Sequence, residues 1–311
     1  MALYLVTGGC GFVGAHLVRC LLAEGHRVRV LDDLSSGRPE SLPPSARCEL
    51  VVGDVGDRAA VERCLAGAAG CFHLAAVASV ARCTEDWVGA HRVNVSGAVQ
   101  VFDAARLSST PVVYASSAAV YGDNPDLPLK EDAAPRPLSA YAADKLGVEL
   151  HARVAAFVHG VPTAGLRFFN VYGPGQDPRS PYAGVISVFA DRLARGLPLH
   201  LHGDGGQVRD FVFVDDVVTF LAAAMRRTET AGEGATVHNV CTGRPITVRE
   251  LGSTLAALVG RAPDFRPYPP RAADVRRSLG DPAKATRDLG CRARTVLRDG
   301  LAETFGALLA D

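Results

Sequence analysis

Tyr141 and Lys145, in the stretch YAADK, stand four residues apart and would therefore share one face of a helix. An ammonium close to a phenol favours the phenolate, so Lys145 is expected to lower the pKa of Tyr141 and make it a base near neutral pH. Ser117 ends a buried-strand pattern, PVVYASS, and would project its hydroxyl into a ligand crevice at the carboxyl end of that strand. Tyrosine and lysine have this spacing on many solvated helices, so only the three residues together indicate proton-transfer chemistry.

The stretch TGGCGFVG lies between an apolar strand pattern and a helical pattern at 12–24. Gly9, Gly11 and Gly14 have the G-x-G-x-x-G spacing of dinucleotide-binding turns. Gly8, Gly11 and Gly14 also fall three residues apart. Such glycines allow a tight turn and let the backbone approach a pyrophosphate, which N–H groups at the helix start then hold. An ordinary glycine-rich turn is the alternative at this point.

Asp32 ends the second strand pattern, close to the roughly 20-residue distance from the glycines at which an acid binds an adenosine ribose. A carboxylate there would repel a 2′-phosphate, which predicts NAD rather than NADP as the cofactor. Asp54 and Val55 follow the third strand pattern and could flank the adenine, although Asp54 could equally cap a helix.

The elements that would position these residues alternate between apolar strands and helices. This order predicts an α/β fold, a Rossmann-like doubly wound parallel sheet with a smaller carboxyl-terminal substrate-binding lobe. The nucleotide-binding domain is predicted over residues 1–169, with 209–240 returning to it, and the smaller lobe over 170–208 and 241–311. The proline- and arginine-rich segment 261–277 is predicted to be an ordered loop.

Composition limits the partners that the chain could bind. Basic and acidic residues number 33 each, so neither nucleic acid nor an anionic membrane is expected as a partner. No apolar run reaches the roughly 20 residues of a membrane span, and the first residues lack a basic segment and soon meet glycine, so a signal peptide is not expected. The eight cysteines are scattered without a CxxC pair, which predicts no metal site and reduced thiols in a cytoplasmic protein.

Taken together, the motifs resemble the extended short-chain dehydrogenase/reductase family, in particular its nucleotide-sugar epimerases of the UDP-galactose 4-epimerase type. The resemblance runs nearly from end to end. It is carried by the stretches TGGCGFVG, LDDLSSG, GDV, HLAA, VNVSG, SSAAVYG, YAADK, RFFNVYGP, GDGGQVRDFVFVDDV and PPRAADV.

The resemblance implies a role for each matching position. The catalytic triad would be Ser117, Tyr141 and Lys145. The NAD site would be lined by Gly8, Gly11, Phe12, Val13, Gly14, Asp32, Asp33, Ser36, Gly37, Asp54, Val55, Leu74, Ala75, Ala76, Asn94, Tyr141, Lys145 and Phe168. The UDP-sugar would contact Ser117, Asn170, Val185, His202, Arg209, Arg271 and Asp274.

Within the UDP-sugar site, Arg209 and Arg271 would clamp the diphosphate and Asp274 would lie near the uridine ribose. His202 stands where related enzymes often place an aromatic ring against uracil. Without the resemblance, Asn170 would be read as a turn cap and the arginines as solvated surface charges.

The segment after Ser117 favours one reaction within the family. Dehydratases that resemble this chain carry Asp-Glu there and decarboxylases usually carry a glutamate, whereas this chain has Ala118 and Ala119. Alanine has no titratable group, so elimination would lack its acid and base. The resemblance therefore implies epimerisation through a transient 4-keto sugar that rotates before hydride returns, with NAD retained between turnovers. An NAD(P)-dependent ketoreductase or dehydratase and a non-catalytic NAD-sensing protein are the alternatives.

The preferred sugar depends on fewer residues. Ser278 aligns with the position that walls the sugar pocket in related epimerases, and its small side chain would admit UDP-GlcNAc and UDP-GalNAc beside UDP-Glc and UDP-Gal. Arg179 lies in a loop that could face a 6-carboxylate, so UDP-glucuronate is a further candidate. Ala78 replaces a lysine that contacts the cofactor in some galactose epimerases.

Relatives dimerise by pairing two helices of each chain into a four-helix bundle, which implies a homodimer. In this chain the two helices would cover about 87–106 and 140–159. Candidate contacts on them are Val88, Val95, Val99, Leu146 and Leu150.

Overall fold

The computed structural model of the protein describes residues 1–176, 184–231, 234–270 and 275–310. The first half alternates between strands and helices as follows: β1 Leu3–Thr7, α1 Phe12–Ala23, β2 Arg27–Asp32, β3 Cys48–Val52, α2 Arg58–Leu65, β4 Gly70–His73, α3 Val80–Glu85, α4 Trp87–His91, α5 Gly97–Ala105, β5 Val112–Ser117, α6 Ala140–His159 and β6 Thr163–Phe168. A π-helical segment, Arg92–Ser96, joins α4 to α5.

The second half contributes shorter elements: β7 Asn170–Tyr172, α7 Val185–Ala194, β8 Leu199–His202, β9 Val208–Phe213, α8 Val214–Ala231, β10 Ala235–Val240, β11 Pro245–Thr247, α9 Val248–Leu258, β12 Phe265–Tyr268, α10 Ala283–Leu289 and α11 Leu297–Ala310. The prediction of a loop throughout 261–277 is wrong at β12, which pairs in parallel with β8. Prolines flank and interrupt this short strand, and they hide it from a periodicity argument.

Within the described residues, seven strands form one parallel sheet in the order β3-β2-β1-β4-β5-β6-β10. The strand order reverses between β1 and β4, and ligands of such sheets bind in the crevice outside the carboxyl ends of the strands at that point. The predicted α/β class and the doubly wound parallel sheet are confirmed. The domain boundaries stay a prediction, although β10 pairs with β6 at the edge of the sheet.

Side-chain alternation along the strands fills both faces of this sheet. Leu5 of β1 packs in a cluster with α2, α5 and α6, while its neighbour Val6 packs on the other face with α1 and α8. A third cluster, which includes Phe189 and Leu251, holds the smaller lobe together between α7 and α9. Among the described residues, no helix is long and apolar enough to cross a membrane.

A segment that we call the strap, residues 275–281, links the smaller lobe to the large sheet. On one side, the Val208 amide donates to Arg276 O over 3.0 Å and the Ser278 amide donates to Val208 O over 3.0 Å. On the other side, the Leu129 amide donates to Leu279 O over 2.8 Å. The strap therefore places Ser278 between the two parts of the molecule.

Candidate active site

The turn between β1 and α1 requires glycine at two positions because of the protein's own packing. Gly8 has a φ of +70°, and a Cβ there would lie 2.7 Å from Ala75 N. A Cβ on Gly14 would collide with Gly8 O. Gly11 differs, because a Cβ there would meet only Gly8 O, at 3.3 Å. The protein does not itself explain a glycine at Gly11, which fits the close approach of a phosphate to the start of α1.

Phe12 and Val13, both half-buried, begin α1 directly after this turn. Gly11 precedes the helix, and its lack of a side chain leaves the first N–H groups without a side-chain cap. Such groups can bind an anion.

Asp32 lies beside this turn and is only 6% exposed. Its Oδ2 accepts the Cys10 amide and its Oδ1 accepts the Leu34 amide, each over 2.9 Å. A carboxylate oxygen has a second acceptor site, so both oxygens can still receive a ribose hydroxyl. The loop after β2 closes on the turn at Gly37, where a Cβ would lie 2.7 Å from Cys10 Cβ.

The other predicted cofactor residues occupy the same edge of the sheet or the loops beyond it. Asp33, Ser36 and Asp54 are exposed. Asp54 accepts the Gly56 amide over 2.7 Å, while Val55 is buried in the core. Half-buried positions after β4 and at the end of β6 are Leu74, Ala75, Ala76 and Phe168.

Asn94 is buried and holds the loop that follows β4. Its Oδ1 accepts the Val77 amide over 2.8 Å, and its Nδ2 lies 3.4 Å from Val77 O. These contacts fix the backbone next to the predicted cofactor residues.

Ser117, Tyr141 and Lys145 come together at the carboxyl end of β5. Ser139 caps the start of α6 by accepting the Ala142 amide, which places Tyr141 in the first turn of that helix. The Ser117 hydroxyl lies close enough to the Tyr141 phenol to lower its pKa. Lys145 Nζ lies 5.7 Å from the centroid of the Tyr141 ring and donates to Ala115 O over 2.9 Å.

The expectation that Lys145 lowers the pKa of Tyr141 is wrong for the protein alone. Burial raises the pKa of Tyr141 to about 12, and the nearby Ser117 hydroxyl offsets only part of that rise. Burial also lowers the pKa of Lys145 to about 8. The cause is desolvation, which disfavours the charged form of both groups. Tyr141 therefore needs a further positive charge beside it before it can act as a base near neutral pH.

Two of the predicted substrate residues border a small cavity of about 30 Å³ beside β7. Asn170 begins β7 and is exposed, and Val185 begins α7. Gln176 and Phe211 also line this cavity.

His202 ends β8 within a group of aromatic rings. Its ring centroid lies 5.6 Å from that of Tyr268, and the His200 ring stacks on Tyr268 with the centroids 4.1 Å apart. His202 Nδ1 lies 3.0 Å from Pro269 O. Sequence reasoning missed Tyr268 because it lies on β12, the strand that was taken for a loop.

Arg209 Nη1 donates to Val275 O over 2.7 Å and so holds the start of the strap. Its predicted role in phosphate binding stays a prediction. Arg179, Arg271 and Asp274 lie outside the described residues. Ser278 is half-buried in the strap.

Sequence reasoning also missed a buried ionic cluster beneath the catalytic residues. Arg167 Nε and Nη2 donate to the two Glu149 oxygens over 2.8 and 2.7 Å. Ser116, next to Ser117, donates to the same carboxylate. The cluster joins α6 to β5 and β6. Glu149 lies one helical turn beyond Lys145, so the spacing that identified the tyrosine–lysine pair could have found it.

The chain is similar to known proteins along nearly its whole length. A model of the NAD dependent epimerase/dehydratase family matches residues 4–241. The UDP-glucose 4-epimerase of Mycolicibacterium smegmatis is 41% identical to the chain, over 96% of this chain and 96% of that protein.

Solved structures superpose on nearly the whole chain. The UDP-N-acetylglucosamine 4-epimerase of Methanobrevibacter ruminantium, in complex with UDP-N-acetylmuramic acid, has a TM-score of 0.94 and 31% identity, with 99% of this chain and 98% of that chain covered. The Thermus thermophilus UDP-glucose 4-epimerase in complex with NAD has a TM-score of 0.89 and 36% identity, with 99% of each chain covered. Since the family model matches more than half of the sequence, the chain belongs to the NAD-dependent epimerase/dehydratase family.

Proposed function

We propose that this protein is an NAD-dependent 4-epimerase of UDP-hexoses that interconverts UDP-glucose and UDP-galactose. The observation that supports the proposal most is the meeting of Ser117, Tyr141 and Lys145 at the carboxyl edge of the sheet, where the strand order reverses. The similarity to UDP-sugar 4-epimerases along nearly the whole chain adds to that support.

The residues around the glycine turn fit NAD. Gly11 leaves room for a pyrophosphate at the start of α1, and the buried Asp32 carboxylate offers acceptors to the ribose hydroxyls. The same carboxylate would repel the 2′-phosphate of NADP. When bound, the cofactor supplies a hydride acceptor and a positively charged ring.

Proton transfer is the task of the protein's own side chains. Tyr141 takes the proton of the sugar 4-hydroxyl, and Ser117 hydrogen-bonds the same oxygen. The phenolate on which this transfer depends would be stabilised by the positively charged ring of the bound cofactor together with the ammonium of Lys145. After the 4-keto sugar has rotated in the site, Tyr141 returns the proton to the oxygen on C4, so the protein ends each catalytic cycle unchanged.

The residues after Ser117 support epimerisation over elimination. Ala118 and Ala119 form a short 3-10 turn there, and the Ala119 amide donates to Ser117 Oγ over 3.1 Å. Neither side chain can act as the acid or the base that removal of water from the sugar needs.

We further propose that the protein accepts UDP-GlcNAc and UDP-GalNAc as substrates. Ser278 is held by the strap, and its side chain is small enough to leave space for an acetamido group. A uronate would need a cation for its carboxylate, and the candidate, Arg179, lies outside the described residues.

We also propose a homodimer formed through α4, α5 and α6. Val88, Val99 and Leu150 are exposed, as an interface requires, whereas Val95 is buried in the core and Leu146 is only half-buried. Further exposed apolar side chains on α4 and α6 are Trp87, Val154, Phe157 and Val158. A surface of this kind on a pair of helices is typical of a protein interface.

A cytoplasmic location is part of the same proposal. All eight cysteines lie in the described residues and are free thiols. Reduced cysteines are typical of cytoplasmic proteins.

The decisive experiment uses the purified protein with no cofactor added. It is incubated separately with UDP-glucose, UDP-GlcNAc and UDP-glucuronate, and the products are separated by chromatography. We expect the 4-epimer of UDP-glucose, and a slower 4-epimer of UDP-GlcNAc. Fastest turnover of UDP-glucuronate would replace the proposed substrate. A ketosugar product, or a requirement for NADPH, would overturn epimerisation, and bound NAD without any turnover would favour a sensing protein.

A further inference from the structure

Glu149 is a buried carboxylate on α6 to which the proposed mechanism assigns no role. Tyr141, Lys145 and Glu149 are spaced four residues apart, so they share one face of the helix. The mechanism uses the first two of them. Glu149 is only 5% exposed, and a charge removed from water is costly unless it is paired and hydrogen-bonded. Its partners show which part of the molecule it holds.

Two neighbouring strands reach Glu149 from adjacent positions. Ser116 of β5 is the register partner of Arg167 of β6, so both side chains leave the same face of the sheet. The Ser116 hydroxyl donates to Glu149 Oε1. Arg167 donates from Nε to Oε1 over 2.8 Å and from Nη2 to Oε2 over 2.7 Å. Glu149 therefore joins the end of β5 to β6 and to α6 at a single point.

Arg167 fixes the direction of this carboxylate as well as its position. The two parallel hydrogen bonds hold the Glu149 carboxylate in line with the planar guanidinium. The guanidinium is fixed in turn, because its Nη1 donates to Glu131 O over 3.1 Å and its central carbon lies 4.7 Å from the centroid of the Tyr121 ring. Oε1 of Glu149 is thereby kept facing Ser116.

Stability of the fold is a weak reason for this arrangement. A buried ion pair gains little over apolar residues of similar volume, because both charges have to leave water. Its hydrogen bonds are directional, however, and so they define one geometry between the elements that they join. The fixed geometry is therefore the feature that calls for a role.

The serine held in this way is the neighbour of the candidate catalytic serine. Ser116 and Ser117 end β5, and their side chains point to opposite faces of the sheet. Lys145 Nζ donates to Ala115 O over 2.9 Å, one residue earlier in the strand. α6 thus holds two consecutive residues ahead of Ser117, which restricts both the shift and the rotation of its backbone.

We propose that Glu149 is a positioning residue that fixes the end of β5 through Ser116, and with it the place of Ser117 relative to Tyr141. The effect of this role on turnover rests on the proposed epimerase function. The place of Ser117 does not rest on it, and it can be measured without any substrate.

The test variant is Ser116→Ala, which removes the link and keeps the ion pair. Glu149 retains both hydrogen bonds to Arg167, so no buried charge loses its partner. Thr163→Val is the matched control, because it also removes a buried hydroxyl that bonds to α6. Thr163 Oγ1 donates to Ala152 O over 3.2 Å, and Thr163 begins β6, at the end of the strand away from the catalytic residues.

Kinetics with UDP-glucose give the first measurement. We expect kcat of Ser116→Ala to fall by about 10- to 100-fold, because a misplacement of a reacting group by about 1 Å has an effect of this size. KM should change by less than about twofold, since Ser116 contacts no part of the proposed substrate site. Thr163→Val should keep both constants within about twofold of the wild type, with a melting temperature similar to that of Ser116→Ala. Equal kcat in the two variants would overturn the proposal.

Crystal structures of the wild type and both variants, without substrate, give the second measurement. The distance from Ser117 Oγ to the Tyr141 phenol oxygen should change by about 0.5 Å or more in Ser116→Ala and stay the same in the control. An unchanged distance in Ser116→Ala would overturn the positioning role whatever the turnover. A changed distance in a protein whose wild type turns over no UDP-sugar would keep the positioning role and remove the proposed function.

The carboxylate itself is tested by Glu149→Leu combined with Arg167→Met. Both charges are removed together, so neither is left buried without a partner. We expect kcat to fall as far as in Ser116→Ala, and the triple variant should show no further loss, because both changes break the same link. Losses that multiply would show that Ser116 and the ion pair act separately, against the proposal. Should one of the variants fail to fold, the other is compared alone with Thr163→Val.

Discussion

The phenol of Tyr141 and the ammonium of Lys145 lie close together, and removal from water disfavours the charged form of each. Burial raises the pKa of Tyr141 to about 12 and lowers that of Lys145 to about 8, so each group is pushed toward its neutral form. Catalysis needs both in their charged forms. The spacing YAADK predicts that the two side chains are neighbours, but it contains no information on desolvation. For this reason the predicted direction of the change in the Tyr141 pKa was wrong.

Replacement of Tyr141 by phenylalanine should abolish most turnover while leaving the fold intact. The ring remains and only the hydroxyl that carries the proton is lost, so we expect kcat to fall by about 10²- to 10⁴-fold. Initial rates with UDP-glucose measure the effect, and thermal melting measures the stability. Tyr4→Phe removes a hydroxyl that bonds to Glu229, outside the candidate site, and serves as the control. Near wild-type turnover in Tyr141→Phe would remove this residue from the mechanism.

Gly11 and Gly14 should respond differently to alanine. A Cβ on Gly14 collides with Gly8 O, so Gly14→Ala should destabilise the fold by about 1–3 kcal/mol. A Cβ on Gly11 meets little protein, so Gly11→Ala should cost less than about 1 kcal/mol of stability and instead weaken NAD binding. Chemical denaturation and the NAD content of the purified variants measure the two effects. Equal losses of stability would show that Gly11 serves only the turn.

At the scale of elements, the periodicity of apolar residues identified the long, strongly amphipathic helices. α6 runs over Ala140–His159, as the pattern at 140–159 predicts, because its apolar residues repeat at helical spacing. β12 was missed because it is short and its pairing with β8 is set by residues distant in sequence. The strap was missed for the same reason, since its hydrogen bonds to Val208 and Leu129 are tertiary. Local patterns do not contain such pairings.

Substitution of Ser278 in the strap should separate the two sugar classes. Ser278→Tyr fills the space proposed for the acetamido group, so we expect kcat/KM for UDP-GlcNAc to fall by at least about tenfold while that for UDP-glucose changes little. Ser278→Ala is the matched control and should retain both activities. Coupled assays with the two substrates give the ratio. If both activities fall together in Ser278→Tyr, the residue supports the strap and does not select the sugar.

At the scale of the whole molecule, the alternation of strands and helices predicted the α/β class. It did not predict which faces of the helices are exposed to solvent. The sequence did not distinguish the buried Val95 from exposed residues such as Val88. An apolar face that packs on a sheet and one that packs on a partner have similar patterns. The structure separates them: Phe157 and Trp87 are 69% and 65% exposed, and Val95 is buried.

The exposed face of α6 should control the oligomeric state. Leu150 and Phe157 lie two turns apart on it, and a double substitution to lysine should convert a dimer to a monomer, because charged groups are costly inside an apolar interface. Sedimentation of the variant and the wild type measures the change. Val296→Lys changes an apolar residue beside α11 that is also exposed, at 51%, and should leave the oligomeric state unaltered. A wild-type monomer, or a dimeric double variant, would contradict the proposed interface.

The position of β10 has a consequence for how the chain is made. This strand, Ala235–Val240, completes the edge of the large sheet by pairing with β6, Thr163–Phe168, which leaves the ribosome much earlier. At synthesis rates of about 5–20 residues per second, the edge of β6 waits for several seconds without its partner. An unpaired edge strand is a template for association with other chains. Nascent chains that end before β10 should therefore depend on chaperones more than full-length chains do.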